Sequence, residues 1–152
     1  PMTFSRARGA NGGQGGYRSW GELQIARMLA RHGLSFQYEQ PVAIVEHGRT
    51  RLWYPDFQLR GHGILLEYCG RPHDPDYAAG IERKQAVYAA NGLTALMFTP
   101  DLFQGPWPTM ILDQIEDVLV SRLDRFRAAR HRAYRSTEET VPHADNGLAS
   151  GE

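Results

Sequence analysis

Two acidic residues in the middle of the chain, Asp56 and Glu67, stand in apolar surroundings with ten residues between them. If Gly61 and His62 are the two turn residues of a hairpin, the two acids lie directly opposite each other, on one face, with Cβ atoms about 5 Å apart. Such carboxylates repel each other at neutral pH, and a cation that prefers oxygen ligands, Mg²⁺, Mn²⁺ or Ca²⁺, relieves the repulsion. The pairing predicts a metal site, and a one-residue change of register would abolish it. The alternative is that each acid sits at a wet strand end or pairs with an arginine.

Lys84 is the only lysine among the 17 cationic residues. Helical spacing places it on one stripe with Tyr77, Ile81 and Tyr88, so we expect it on an inward face. A lysine there can hold a phosphate, orient a water or take part in proton transfer. The alternative is a lysine whose stem packs against the core while its head reaches solvent.

Glu22 is a fourth candidate, on the first predicted helix. It shares a helix face with Ala26 and Leu29, so it points toward the core, where it could help to hold the metal directly or through water. It also completes a capping box that begins at Ser19, in which the glutamate binds backbone N–H groups. We slightly favour this structural role over the catalytic one.

The predicted elements that position these residues follow the order α, β, β, β, α, β, α. Capping residues, turn residues and apolar spacing predict helices over residues 19–31, 77–90 and 108–134, and strands over 36–45 (interrupted by Pro41), 50–59, 64–69 and 93–98. The last strand is continuously apolar, so we expect it to be buried on both faces. This order predicts an α/β protein with a mixed sheet flanked by helices.

Length and composition favour one soluble domain. The 152 residues carry 17 acidic and 17 basic side chains, and we predict a domain over residues 19–135 between a flexible glycine-rich arm, 1–18, and a disordered tail, 136–152. No apolar run approaches the roughly 20 residues that span a bilayer, so no membrane partner is expected. The single cysteine, Cys69, favours a reducing, cytoplasmic compartment. Gly-x-Ser-x-Gly, P-loop, dinucleotide and zinc patterns are absent from the sequence.

The neutral total charge hides an uneven distribution. Residues 122–135 carry six arginines and one acid, which predicts that this part of the last helix tracks a nucleic-acid backbone. Arg71, just after the strand of Glu67, could clamp a phosphate. The predicted nucleic-acid contacts are Arg71, Arg122, Arg125 and Arg130. The alternative for the last helix is a solvated end, because cations suit helix C-termini.

At this point the residues resemble a known family. Trp53-Tyr54-Pro55-Asp56-Phe57 and Glu67-Tyr68-Cys69-Gly70 are similar to the motif segments of the PD-(D/E)XK nuclease superfamily, and the resemblance covers roughly residues 19–99. It implies the restriction-endonuclease-like fold, an α-β-β-β-α-β core. It also implies that Asp56 and Glu67 bind Mg²⁺ or Mn²⁺ together with the backbone carbonyl of Tyr68. The family's lysine would stand at position 69, but some members carry it on the following helix. Gly70, Tyr77, Lys84 and Tyr88 resemble that variant.

The resemblance implies a metal-dependent endonuclease that hydrolyses phosphodiester bonds in nucleic acid, with DNA the first substrate expected. Asp56, Glu67, Lys84 and Glu22 are the expected catalytic residues. The alternative is a catalytically inactive module of the same fold that binds nucleic acid or serves as a subunit of a larger assembly, because Cys69 cannot replace a lysine as a cation. Whether the chain forms a homodimer or binds a partner protein stays open.

Overall fold

A computed structural model of the chain describes residues 16–138 apart from residue 72, and it describes side chains up to residue 135. The chain divides into two compact units, residues 1–115 and 116–152. Most of the predicted arm and tail lies outside the described residues. Residues 136–138, which were assigned to the tail, are helical.

The first unit contains a mixed four-stranded sheet flanked by helices, as the sequence predicts at the level of fold class. The strand order is β1-β4-β5-β6, and β2 and β3 form a separate two-stranded sheet. The elements are α1 (Trp20–Arg31), β1 (Phe36–Tyr38), β2 (Val42–Glu46), β3 (Arg49–Trp53), β4 (Phe57–Leu59), β5 (Ile64–Tyr68), α2 (Pro75–Ala90), β6 (Thr94–Phe98), a 3-10 helix (Pro100–Gln104) and α3 (Trp107–Glu138).

The first two predicted strands are each broken in two, so that part of the prediction is wrong. The chain leaves the main sheet near Pro41 and returns to it near Pro55, and proline cannot donate to a strand ladder. Glu39 adopts a φ of 50°, which also ends β1. The register is nevertheless continuous: Tyr38 pairs with Phe57, and Val42, four residues after Tyr38, pairs with Trp53, four residues before Phe57. One interrupted hairpin therefore supplies β1 and β4 to the main sheet and β2 and β3 to the two-stranded sheet.

The strand β5 forms the centre of the main sheet, where four of its five residues are buried. It pairs antiparallel with β4 and parallel with β6, and the helix α2 connects β5 to β6. The prediction that β6 is buried on both faces is wrong: only Ala95 and Phe98 are buried. The reason is its position, since β6 is an edge strand of the sheet.

The two helices of the main sheet begin at side-chain caps. Ser19 Oγ accepts from the backbone N–H of Glu22 at 3.2 Å, which confirms the predicted start of α1. Asp74 caps α2, which begins two residues earlier than predicted and ends at Asn91, before Gly92 with a φ of 70°. Among the described residues, no helix combines the length and apolarity that a membrane crossing requires.

Candidate active site

The two central acids lie at one end of the β4–β5 pair. Phe57 pairs with Leu66 and Leu59 with Ile64, which confirms the predicted register. Asp56 immediately precedes β4, and its Oδ2 accepts from the Tyr68 backbone N–H at 2.7 Å. Both acids are buried, with 8% of Asp56 and 4% of Glu67 exposed. The sheet therefore delivers two carboxylates to the same buried strand end.

The surroundings of Asp56 oppose its ionisation. Burial raises the pKa of Asp56 from 3.8 to about 6, and the charges of Glu67 and Glu22 add to this rise. The hydrogen bond from Tyr68 and the charge of Lys84 lower the pKa but do not outweigh burial. A charged Asp56 is therefore costly at neutral pH unless a further cation joins it.

Glu67 receives two donors from α2 on a single oxygen. Its Oε1 lies 2.7 Å from the Lys84 ammonium and accepts from the Tyr88 hydroxyl at 2.6 Å. Tyr88 is fully buried, and burial followed by its bond to Glu67 raises the pKa of its hydroxyl above the ordinary value. The Trp53 ring packs edge-on against it, with centroids 5.2 Å apart. The predicted inward stripe of α2 thus brings Lys84 to Glu67.

The hydrogen bonds and the ion pair described above engage one oxygen of each acid, Oδ2 of Asp56 and Oε1 of Glu67. Within residues 16–138 apart from 72, no group of three acidic, histidine or cysteine side chains is placed to hold a metal. The available ligands are therefore two carboxylates and main-chain carbonyls. This set fits Mg²⁺, which commonly uses one or two carboxylates and keeps several waters.

Cys69, two residues after Glu67, is a buried free thiol. Burial and the neighbouring charge of Glu67 raise the pKa of Cys69 to about 11. The thiol is therefore neutral at physiological pH, and it offers neither a cation nor a thiolate nucleophile. The cation at this site comes from Lys84 instead.

Glu22 is buried, and hydrogen-bond donors from neighbouring residues occupy both of its carboxylate oxygens. Its Oε1 accepts from the Ser19 hydroxyl at 3.1 Å, and its Oε2 accepts from the Arg18 N–H at 3.0 Å and the Tyr38 hydroxyl at 2.5 Å. Burial and the Glu22 bond raise the pKa of Tyr38 to about 12. The charge of Glu22 acts on Asp56, whose pKa it raises. Glu22 is thus an electrostatic neighbour of the acid pair with both oxygens already bonded.

The helix α1 is held against the end of β5 by a close contact. A Cβ atom added to Gly21 would come within 2.3 Å of the Tyr68 ring, so only glycine permits this approach. The backbone N–H of Tyr68 donates to Asp56, and the ring of the same residue packs on α1. This contact places Glu22 within electrostatic range of the acids.

The predicted phosphate-binding arginines fall in both units. Arg71 is exposed in the loop after β5, and its guanidinium lies 5.1 Å from the centroid of the Tyr77 ring. Arg122, Arg125 and Arg130 belong to the second unit, on α3, where Arg122 is half-buried and the other two are exposed.

Sequence reasoning placed Tyr88 on the correct stripe but gave it no role, and it missed Tyr38 and the Tyr68 N–H altogether. A signal for Tyr88 was present, because it follows Lys84 by four residues and a buried tyrosine hydroxyl needs a polar partner. The partner of Tyr38 lies on a different element, and the sequence carries no local sign of it.

Comparisons of the chain with protein families, with curated proteins and with solved structures find no match. The function is therefore inferred from the side chains themselves.

Proposed function

We propose that this protein is a metal-dependent endonuclease with the restriction-endonuclease-like fold, acting on nucleic acid and first of all on DNA. One observation carries the proposal: two buried carboxylates meet at one strand end, and a lysine stands 2.7 Å from one of them. Carboxylates that hold a divalent cation, with a positive charge beside them, are suited to metal-assisted phosphodiester hydrolysis. The motif resemblance and the mixed α/β fold support the same family.

The proposed metal ligands are Asp56 Oδ1, Glu67 Oε2 and the carbonyl of Tyr68. When bound, Mg²⁺ or Mn²⁺ supplies a more acidic water and neutralises charge on the phosphate oxygens. The Tyr88 hydroxyl donates to Oε1 of Glu67 and so fixes the direction of Oε2. The Tyr68 N–H fixes Asp56 in the same way.

Lys84 is proposed to orient the attacking water or to stabilise the charge of the pentavalent phosphorus. Its side chain is 36% exposed, so its ammonium can reach both Glu67 and a bound phosphate. Arg71 is proposed to hold a neighbouring phosphate, since it is exposed directly after β5. Glu22 contributes through its charge and, at most, through a bridging water.

The proposal is tested by incubating supercoiled and branched DNA with the protein and Mg²⁺ or Mn²⁺, with chelator as the blank. Asp56→Asn and Glu67→Gln are expected to abolish cleavage, and the matched controls Asp101→Asn and Glu82→Gln, at exposed positions, are expected to retain it. Calorimetric titration with Mn²⁺ provides a second readout, in which the two site variants lose the binding heat. Cleavage that survives either substitution would remove that residue from the mechanism.

A second candidate function is a catalytically inactive module that binds nucleic acid or joins a larger assembly. The neutral thiol of Cys69 at the lysine position favours it. The same assay separates the two proposals, since the module predicts Mn²⁺ or DNA binding without strand cleavage. Cleavage that appears only with a partner protein would indicate a subunit role.

Contacts of Arg122, Arg125 and Arg130 with phosphates are a separate proposal. Phosphate contacts release counterions, so DNA affinity should fall steeply with salt. Replacing Arg125 with glutamine should reduce that salt dependence, whereas an unchanged slope would leave this arginine as a solvated side chain.

A further inference from the structure

One face of the helical part of the second unit is apolar and exposed. Leu119, Leu123 and Phe126 expose 36%, 46% and 66% of their surface, and Val120 beside them exposes 49%. Spacings of three and four residues align these side chains along one side of α3. A contiguous apolar stripe with polar neighbours is typical of a protein interaction surface.

The same line of side chains ends in opposite charges. Continuing the spacing from Leu119 and Phe126 reaches Glu116 at one end and Arg130 at the other, both exposed. Glu116 and Arg130 each lie seven residues from Leu123, and the three apolar groups lie between them. The surrounding residues repeat the asymmetry of charge. Asp117 lies at the acidic end, Arg122 and Asp124 flank Leu123, and the basic end carries Arg125, Arg127, Arg132 and Arg135.

We propose that this stripe, from Glu116 to Arg130, binds a second copy of the chain, with the two α3 helices antiparallel and crossing near Leu123. In this orientation, Glu116 of each copy lies opposite Arg130 of the other, and the apolar groups meet in the middle. A parallel pair would place arginines beside arginines and acids beside acids. This inference does not depend on the nuclease proposal, and it assigns Arg130 to the dimer in place of the phosphate contact proposed for that arginine above.

A nucleic acid is a poorer occupant of the stripe. Phosphates would satisfy the arginines but leave the apolar side chains without a partner, and Glu116 would repel the backbone. A helix gains most of its stability from packing an apolar face, which a second copy supplies.

Analytical ultracentrifugation of the full chain over a wide concentration range tests the proposal. We expect a dimer for the wild type and an increase of about 100-fold in the dimer dissociation constant for Leu123→Glu combined with Phe126→Glu. The matched control is Ala128→Glu, an exposed position half a turn away on the opposite side of the helix. It should dimerise like the wild type, and circular dichroism should show that its helix content matches that of the wild type.

Charge reversal tests the orientation without altering the apolar groups. Glu116→Arg and Arg130→Glu should each weaken the dimer by about tenfold, and combining them in one chain should restore it. A parallel dimer predicts that neither single reversal changes the dissociation constant.

Three outcomes would overturn the proposal. The first is a wild-type chain that stays monomeric at every concentration. The second is a dimer that Leu123→Glu with Phe126→Glu leaves unchanged. The third is a monomer whose DNA affinity falls with this double variant but not with Ala128→Glu, which would assign the stripe to nucleic acid.

Discussion

Two buried glutamates, Glu22 and Glu67, differ in how their donors are shared between the carboxylate oxygens. They are almost equally buried, at 6% and 4% exposure. Glu22 accepts hydrogen bonds on both oxygens, from Ser19, Arg18 and Tyr38. Glu67 receives both of its donors on Oε1. Burial alone therefore does not distinguish the two glutamates, and the proposed function assigns the metal to Glu67 because both of its donors gather on one oxygen.

The largest expected difference between the two glutamates is in cleavage. Glu67→Gln should lower the cleavage rate by about 10³-fold or more, because it removes a charged metal ligand. Glu22→Gln should change the rate by less than about tenfold and lower the free energy of unfolding by about 1–3 kcal/mol, because it weakens bonds to a buried carboxylate. Initial cleavage rates and urea unfolding measure the two effects. Equal losses of rate would make Glu22 a ligand and end the distinction.

Lys84 sharpens the comparison, because only Glu67 has a lysine partner. Lys84→Met should reduce cleavage by about 10²-fold while Mn²⁺ still binds, since the ammonium acts on the water or the phosphate. Arg83→Met, at the neighbouring position on α2, breaks only the ion pair of Arg83 with Glu46, so it serves as the control and should cleave normally. Loss of Mn²⁺ binding in Lys84→Met would show that the lysine only organises the ligands.

Asp56 adds a prediction about how the stability of the protein depends on pH. Its pKa rises from 3.8 to about 6 on folding, so the folded protein binds this proton more tightly than the unfolded chain does. Its contribution to stability is therefore present below about pH 4 and is lost as pH rises through about 6, a loss on the order of 3 kcal/mol. In the metal-free protein at pH 7.5, Asp56→Asn should increase the free energy of unfolding by a similar amount.

Chelator-treated wild type and Asp56→Asn, unfolded by urea at pH 5 and pH 7.5, provide this measurement. The gain should be about half as large at pH 5 as at pH 7.5, and Mn²⁺ should reduce it at pH 7.5 by stabilising only the wild type. A variant that is less stable than the wild type at pH 7.5 without metal would contradict the assignment.

The smallest expected effects come from the two tyrosines that hold the glutamates. Tyr38→Phe and Tyr88→Phe each remove one hydroxyl donor and should cost about 1–2 kcal/mol of stability. Only Tyr88→Phe should also raise the Mn²⁺ concentration for half-maximal cleavage, by a few fold, because it frees Glu67 to rotate. The same shift in both variants would mean that the tyrosines act through stability alone.

Much of this site could be predicted from the sequence because its signals are local. The glycine-containing turn after β4 fixed the register that opposes Asp56 and Glu67, and helical spacing placed Lys84 and Tyr88 on one face. The capping box of α1 could likewise be recognised in the sequence.

The remaining features depend on contacts between elements distant in sequence. The breaks at Pro41 and Pro55 separate two sheets, and a strand pattern cannot show that a chain changes sheets at a proline. The bond of Tyr38 to Glu22 joins β1 to α1 across 16 residues. Small differences in atomic position decide which carboxylate oxygen accepts each hydrogen bond, and a pattern of residues in the sequence does not specify those positions.

The fit of Gly21 against the Tyr68 ring makes α1 intolerant of length changes. One inserted or deleted residue turns the downstream part of a helix by about 100° and moves it by about 1.5 Å. Such an event just after Gly21 would change the phase between this glycine and the rest of α1, so that a side chain would meet the Tyr68 ring if the rest of the helix kept its packing. The absence of a Cβ atom at Gly21 thus fixes how α1 is aligned with the Tyr68 ring. We expect insertions and deletions there to be rejected, even though they leave the acids of the site unchanged.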